Sequence, residues 1–323
     1  MAILFVTGSD SAFFNSLLIF LQSFAERMSG QRLLVCDFGL SSAQAEFLRS
    51  LDLLLPRPPE LAGRGAFHCK ASLGRYLQRV GQPADNVIVW LDADITLMHT
   101  GPSDFQAVLA DMTSAGAQIA ACGDPAGRNI GQTISLFTDA ARIAPFARMV
   151  TEAGIDRGLP YVSTGLFFCC SAAFMDRWAE LAQNAADHPL FDQNVFNVVM
   201  HRDAVPFLML DFEEWQAYGF SLDRVSLAPS GHGRPAARIG DKNIKTLHTS
   251  SPTQGHLLIA NCRMTVRNLD LVGPFKLFLA EPLRLHQLQL LASFMVAHGE
   301  ALLRLGICTP AVRPVEGFEF ATL

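Results

Sequence analysis

Two aspartates, Asp92 and Asp94, stand one residue apart directly after an unbroken apolar run, residues 87–91. Such a run is typical of a strand that is buried on both faces. Carboxylates are costly to bury unless they are paired or bind a metal. We therefore expect both acids to emerge at the carboxyl end of a central strand and to hold a cation, because ligands of open α/β sheets bind at that edge. The alternative is that the two acids only open a solvated turn.

Polar side chains that could complete this site come later in the chain. Asp192 and Gln193 open a segment with helical spacing, residues 191–197, and an acid is favoured at the start of a helix. The alternative role of Asp192 is to cap that helix. His248 follows a strand-like run, residues 244–247, so a nitrogen ligand is expected at another strand end. An isolated histidine is more often structural, but the position of His248 at a strand end favours a role as a ligand.

Strand and helix patterns alternate along most of the chain, which predicts a mostly parallel sheet covered by helices. Helical spacing occurs at residues 41–51, 69–80, 103–115 and 139–153, and strand patterns occur at 2–6, 32–36, 118–122 and 133–137. Residues 161–168 are predicted to be a loop that leads into an apolar strand. Residues 226–241 are rich in Gly, Pro, Arg and His, which predicts a loop. Leucines recur along residues 282–305 and predict a long amphipathic helix packed on the main domain. A membrane or partner surface is the alternative for its apolar face.

Composition narrows the classes of partner. The chain has 323 residues, half of them hydrophobic, which is enough for a large core. Its net charge is -5 with no basic cluster, so we expect a small-molecule partner and no nucleic acid. Seven cysteines without a disulfide or metal-binding spacing favour a reducing compartment. With no signal peptide or transmembrane segment recognised, a cytoplasmic location is expected, and peripheral membrane contact stays open.

The order and spacing of the polar residues resemble the GT-A glycosyltransferases, in particular the retaining group akin to family 8 and the nucleotide-diphospho-sugar transferase domains. The residues that carry the resemblance are Thr7-Gly8-Ser9-Asp10, Lys70, Leu91-Asp92-Ala93-Asp94, Ser163-Thr164-Gly165, Trp178, Asp192-Gln193 with Asn197, and His248. The resemblance covers residues 1–262. It implies a GT-A-like (Rossmann-like) α/β domain there, a mostly parallel mixed sheet flanked by helices, and leaves residues 263–323 as a C-terminal helical extension.

The resemblance also implies roles for these residues. Asp92, Asp94 and His248 would bind the metal, and this mixed oxygen and nitrogen set suits Mn²⁺ somewhat better than Mg²⁺. Asp192 and Gln193 would face the sugar and the acceptor as catalytic residues. The contacts to the nucleotide-sugar would come from Thr7, Asp10, Lys70, Asp92, Ala93, Thr164 and Gly165. The implied reaction is sugar transfer with retention from a UDP-linked donor to a carbohydrate, lipid or protein acceptor.

Two departures and two alternatives accompany this resemblance. Thr164 stands where the family usually has Asn, and His248 lacks the usual close glycine after it. Asp92-Ala93-Asp94 also resembles the first motif of haloacid-dehalogenase-type phosphatases, but the downstream acidic pair of that class is missing. A nucleotide-sugar binding protein without turnover is the second alternative. If the two acids mainly repel each other, Asp94→Asn should leave the stability of the metal-free protein unchanged or higher.

Overall fold

The computed structural model describes residues 2–81, 86–229, 235–250 and 254–323. Its central feature is a seven-stranded mixed sheet in the order β3-β2-β1-β4-β7-β6-β8. The strands β1, β2, β3 and β4 are parallel, β7 is antiparallel to both β4 and β6, and β8 is parallel to β6. These strands are β1 (Ile3–Asp10), β2 (Leu33–Gly39), β3 (Leu54–Leu55), β4 (Val87–Leu91), β6 (Ile119–Gly123), β7 (Val162–Cys169) and β8 (Phe207–Leu210).

Helices flank this sheet, which confirms the expected α/β class and the mostly parallel mixed sheet. The side chains of β4 alternate between two apolar clusters, with Val89 and Leu91 in one and Ile88 and Trp90 in the other. The central strand is thus buried on both faces, as its apolar run predicts. The helices are α1 (Phe14–Arg27), α2 (Ser42–Ser50), α3 (Ala66–Ala71), α4 (Leu73–Arg79), α5 (Pro102–Ala115), α6 (Ile130–Ser135), α7 (Ala140–Glu152), α8 (Ala172–Asn184), α9 (Phe191–Arg202), α10 (Phe212–Trp215) and α11 (Glu281–Arg304).

Three smaller sheets surround the main one. A two-stranded sheet pairs β5 with β12, a three-stranded sheet has the order β11-β10-β9, and a four-stranded sheet has the order β15-β14-β13-β16. Their strands are β5 (Ile95–Leu97), β9 (Val225–Pro229), β10 (Pro235–Ile239), β11 (Lys242–Asn243), β12 (Thr246–His248), β13 (Leu257–Val266), β14 (Leu269–Phe278), β15 (Thr309–Pro310) and β16 (Phe318–Thr322).

The C-terminal segment contains the expected long helix, α11, and in addition the four-stranded sheet, which the sequence did not predict. The boundary expected at residue 262 falls inside β13. Cys262 and Leu291 share one apolar cluster with Phe5 of β1 and Leu17 of α1. The C-terminal segment therefore packs on the main sheet through α1 and encloses part of the same core.

Two local predictions were wrong. Residues 133–137 are not a strand, because α6 begins at Ile130 and Asn129 caps it: the Asn129 side chain accepts from Gln132 N, and the Gln132 side chain accepts from Asn129 N. This reciprocal capping box outweighs the β-branched residues that follow. Within 226–241, β9 and β10 pair as antiparallel strands where a loop was expected, and residues 230–234 lie outside the described ranges.

No helix in the described ranges combines the length and the apolar character needed to cross a membrane.

Candidate metal centre

The pairing of β5 with β12 brings His248 next to Asp94, although 154 residues separate them. His248 lies opposite Ile95 in this antiparallel register. The backbone N–H and the hydroxyl of Thr249 both donate to the carbonyl oxygen of Asp94, at 3.0 and 2.8 Å. Ile95 N in turn donates to the carbonyl oxygen of Asp92, which closes a tight turn after β4. Backbone bonds therefore fix the positions of all three expected metal ligands.

The three expected ligands converge. One ligand atom from each of Asp92, Asp94 and His248 can be chosen so that all lie within 4.8 Å of one another. His248 Nε2 lies 2.9 Å from Asp94 Oδ1 and 3.7 Å from Asp92 Oδ2. Two carboxylates and one imidazole form a donor set that first-row divalent cations accept. The residues present therefore fit the metal that the resemblance implies.

Two lysines neutralise the acids of this cluster from opposite sides. Lys70 of α3 is buried and donates to Asp92 Oδ1 at 2.8 Å, with its ammonium also 3.1 Å from Asp192 Oδ2. Lys276 of β14 donates to Asp94 Oδ2 at 2.6 Å. Lys70 is therefore not a solvated helix residue, the alternative that its sequence position allowed.

The surroundings of the two aspartates shift their pKa values in opposite directions. Burial disfavours the charged form of Asp94, yet the ammonium of Lys276 and the contact with His248 hold its pKa far below the usual carboxyl range. Burial is the main cause that raises the pKa of Asp92, opposed by Lys70 and His248 and reinforced by the charge of Asp94. Burial also acts on Lys70, but Asp192 and Asp92 outweigh it and raise the pKa of that ammonium. Asp94 is thus the better prepared of the two acids to meet a cation as a carboxylate.

The ring of His248 packs against β7 at residue 165. There is space for the ring only because that residue is glycine. A Cβ built on Gly165 would lie 2.1 Å from Gln216 Nε2 and 2.6 Å from His248 Cε1, closer than real atoms approach. The backbone of Gly165 also contributes, since its carbonyl accepts from Asp92 N at 2.8 Å. Gly165 therefore supports two metal ligands through its missing side chain and its backbone.

Asp192 and Gln193 begin α9 and both contact Thr164. The Thr164 hydroxyl donates to Asp192 Oδ2 at 2.9 Å, and its backbone N–H donates to Gln193 Oε1 at 3.1 Å. Trp178 donates its indole N–H to the carbonyl of Asp192 at 3.1 Å. Because Lys70 pairs with Asp92 as well as Asp192, the start of α9 is connected to the metal cluster through one ammonium group.

An open cleft lies above these ligands at the carboxyl end of β1 and β4. Its lining includes six of the residues expected to touch a donor or metal, Asp10, Lys70, Asp92, Ala93, Asp94 and His248. Within the described ranges the lining does not include Thr7, Thr164, Gly165, Asp192 or Gln193, so the contacts of these residues with a substrate stay predictions. Thr7 is fully buried, and its hydroxyl has no hydrogen-bond partner among the described residues. Its contact with a donor therefore stays a prediction. Asp10 also accepts from the backbone N–H of Ala12 and Phe13, which fixes the entry into α1.

Four further residues belong to this site and were not identified from sequence. Lys276 and the two exposed aromatic side chains, Phe13 and Phe67, line the cleft, and Gln216 contacts His248 behind it. Lys276 lies in a strand that the leucine pattern of the C-terminal segment did not reveal. Gln216 follows α10, where no spacing connected it with His248, 32 residues away. Phe67 stands three residues before Lys70 on the same helix, and that spacing could have indicated it.

No protein-family model and no curated protein matches this sequence. Solved structures do match it, at low sequence identity. Those reported below are glycosyltransferases.

Three of these solved structures are 12%, 13% and 14% identical to this chain. The apo structure of WbbM, a bifunctional glycosyltransferase, is 12% identical with a TM-score of 0.49; the match covers 78% of this chain and 46% of that chain. The galactosyltransferase LgtC, in complex with donor and acceptor sugar analogues, is 13% identical with a TM-score of 0.47 and coverages of 77% and 88%. Apo xyloside xylosyltransferase 1 from mouse is 14% identical with a TM-score of 0.45 and coverages of 76% and 96%.

Proposed function

We propose that this protein is a metal-dependent glycosyltransferase that moves a sugar, with retention, from a UDP-linked nucleotide-sugar to the hydroxyl of an acceptor. The observation that carries the proposal is the convergence of Asp92, Asp94 and His248 at the floor of the cleft. Open α/β sheets bind their ligands at this edge, and an acid pair with an imidazole is suited to a divalent cation.

The charges around the cleft fit a diphosphate once a cation is present. Asp10, Asp92, Asp94 and Asp192 outnumber the two ammonium groups of Lys70 and Lys276 by two charges. A divalent cation cancels that excess, so a diphosphate no longer meets a net negative site. When bound, the metal neutralises the phosphate oxygens as the nucleoside diphosphate leaves. Lys70 and Lys276 supply the remaining positive charge from the protein itself.

The transfer breaks the bond between the anomeric carbon and the diphosphate oxygen. The acceptor oxygen then bonds to the anomeric carbon, and its proton passes to a base. We assign the contacts with the sugar and the acceptor to Asp192 and Gln193 at the start of α9. Lys70 supports this assignment, since its ammonium joins Asp192 Oδ2, 3.1 Å away, to the metal cluster. Phe13 and Phe67 offer exposed aromatic faces at the cleft on which a base or a sugar ring can stack.

The two alternatives fit the site less well. A phosphatase of the haloacid-dehalogenase type needs a free aspartate nucleophile, whereas Asp92 Oδ1 accepts from both Lys70 and the indole N–H of Trp90 at 2.7 Å. His248 also completes the cluster where that class uses further acids. A binding protein without turnover keeps the same cleft, so only an activity measurement separates it from an enzyme.

Cysteine chemistry supports a reducing location such as the cytoplasm, because all seven thiols are free. The acceptor is a carbohydrate, a lipid or a protein with an accessible hydroxyl.

The decisive experiment is incubation of the protein with UDP-sugars and Mn²⁺ while free UDP is measured. Slow UDP release that stops when the metal is chelated supports the transferase. Binding of UDP-sugar without release supports the binding protein, and release of phosphate from a generic phosphoester supports the phosphatase. Asp94→Asn is the matched control, since it should abolish UDP release by removing a metal ligand.

A further inference from the structure

The side-chain amide of Gln216 has hydrogen-bond partners at its nitrogen and, among the described residues, none at its oxygen. The residue is fully buried, and its amide Nε2 lies 2.9 Å from Ser163 Oγ and 3.1 Å from His248 Nδ1. Its Oε1 is buried too and has no hydrogen-bond partner among the residues that the structure describes. A buried amide oxygen without a donor is unfavourable and calls for an explanation.

The orientation of this amide decides which nitrogen of His248 carries the proton. With Gln216 Nε2 donating to it, His248 Nδ1 must accept, so the neutral ring holds its hydrogen on Nε2. That hydrogen is then donated to Asp94 Oδ1, 2.9 Å away. In this tautomer Nε2 has no lone pair for a metal, so the arrangement belongs to the metal-free protein.

A half-turn of the amide gives the opposite tautomer, because amide oxygen and nitrogen have nearly the same size. Gln216 Oε1 then faces His248 and Ser163 and accepts from both. Ser163 Oγ is within 3.4 Å of the donating Gly165 N, which leaves its own hydrogen free for Gln216. His248 holds its hydrogen on Nδ1, and its Nε2 lone pair turns to the cluster of carboxylates. The oxygen gains two donors in the same step, and the amide N–H groups give up the two partners they had.

We propose that Gln216 is a positioning residue for the metal: its amide turns when the cation binds and holds His248 in the tautomer whose Nε2 is the ligand. The inference rests on the proposed metal site. The hydrogen leaves Nε2 and a hydrogen is held on Nδ1 of the same ring, so the number of ring hydrogens is the same before and after the turn. Groups that hydrogen-bond the far nitrogen of a metal-binding histidine commonly fix its tautomer in this way.

The first test uses the unaltered protein labelled with ¹⁵N at histidine. The ring nitrogens are followed by NMR during titration with Mg²⁺, a diamagnetic probe, and His248→Asn identifies the signals of His248. We expect a hydrogen on Nε2 without metal and on Nδ1 when the site is saturated. Retention of the Nε2 hydrogen in the saturated protein overturns the proposal.

The second test compares two substitutions by calorimetric titration with Mn²⁺ alone. Gln216→Leu removes the acceptor and should weaken Mn²⁺ binding by roughly 10- to 100-fold. Gln216→Glu keeps an oxygen that can only accept, so it should bind Mn²⁺ at least as tightly as the original protein. Gln216→Met replaces the leucine variant if thermal unfolding shows that the latter does not fold. A folded Leu or Met variant with unchanged Mn²⁺ affinity contradicts the proposal.

These results are separable from the proposed function, because no nucleotide-sugar is present in either experiment. If the original protein binds Mn²⁺ and shows the change of tautomer but releases no UDP from any donor, the transferase proposal fails and the role of Gln216 stands. If UDP release is metal-dependent and the tautomer does not change, the role of Gln216 fails alone.

Discussion

The ammonium of Lys276 lies 2.6 Å from Oδ2 of Asp94, although the two residues are 182 positions apart and only Lys276 belongs to a sheet. Lys276 comes from β14 of the C-terminal sheet, and Asp94 follows the central strand of the main sheet. Both side chains are largely buried, and the Lys276 ammonium also lies over the ring of Phe13. The C-terminal segment therefore places a cation directly on an expected metal ligand.

Lys276→Met should raise the affinity for Mn²⁺ alone. A divalent cation and the Lys276 ammonium compete for the same carboxylate, so removal of the ammonium should favour the metal by roughly tenfold or more. The metal-free variant should lose about 1–3 kcal/mol of stability, because Asp94 keeps only His248 as a partner. Calorimetric titration with Mn²⁺ and chemical denaturation measure the two effects.

Lys245→Met is the matched control for Lys276→Met. Lys245 pairs with Asp104 and Glu214 and does not belong to the cleft lining. Its removal should lower stability without raising Mn²⁺ affinity. Equal gains in metal affinity for both variants would mean that a general change of charge, and not competition at Asp94, is responsible.

Asp94→Asn should abolish metal-dependent UDP binding and also lower the stability of the metal-free protein by about 1–3 kcal/mol. From the sequence we expected stability to hold or rise, because the substitution relieves repulsion between the two acids. The structure reverses that expectation, since Lys276 and His248 attract the carboxylate and hold its pKa below the usual range.

The sign of the pH dependence follows from that lowered pKa. A carboxylate whose pKa is lowered by folding stabilises the folded state above its ordinary pKa, and the contribution is lost as pH falls. The stability difference between the original protein and Asp94→Asn should thus be constant near neutral pH and shrink progressively below about pH 4. Denaturation curves between pH 7 and pH 3 check this. An Asp94→Asn variant that is more stable at pH 7 would contradict it.

Gly165→Ala should weaken Mn²⁺ binding, because its Cβ would displace Gln216 and His248. The displaced atoms are buried, so we also expect a stability loss of about 1–3 kcal/mol from overpacking. Gly74→Ala is a suitable control, since its Cβ would meet side-chain atoms of Met175 and Asp176 at 3.4 and 3.6 Å, which is ordinary contact. That control lies inside α4 and should hold or gain stability, by up to about 1 kcal/mol. Calorimetric titration with Mn²⁺ and thermal unfolding of both variants separate the two outcomes.

His286 of α11 should make the stability of the protein fall in mild acid. Burial is the main cause that lowers the pKa of His286 to about 4, and the charge of Arg27 adds to it. The unfolded chain binds this proton with an ordinary pKa near ~6.5, so stability is complete above that pH and declines as pH falls toward 4. The decline should reach at most about 3 kcal/mol.

His286→Leu tests this prediction, because Leu fills a similar buried volume without titrating. The pH dependence between 6.5 and 4 should become shallower in urea denaturation of the variant. An unchanged slope would show that other groups cause the acid sensitivity. Since His286 lies outside the cleft lining, Mn²⁺ binding at pH 7 should be the same in both proteins.

The central strand and the acids at its end could be predicted from local sequence patterns alone. Five consecutive apolar residues leave no solvent-facing side for β4. The two carboxylates that follow them must therefore lie where the strand ends, in contact with water or a cation. The alternation of strand and helix patterns likewise determined the α/β class, because the chain must cross over to place parallel strands side by side. The helical start at Asp192 was predicted for the same local reason, the preference for an acid in the first turn.

The contacts that the site residues make with distant parts of the chain could not be predicted from sequence and are seen only in the folded protein. The contact of Lys276 with Asp94 depends on the position of β14, which pairs with β13, and the contact of Gln216 with His248 depends on the parallel bridge between Ala217 and Leu247. No short-range pattern encodes these pairings, since strand register is set by long-range packing. Gly165 illustrates the difference most clearly. Its type was visible in the sequence and suggested a ligand contact, whereas its physical role is to leave space for side chains that arrive from 51 and 83 residues further along the chain.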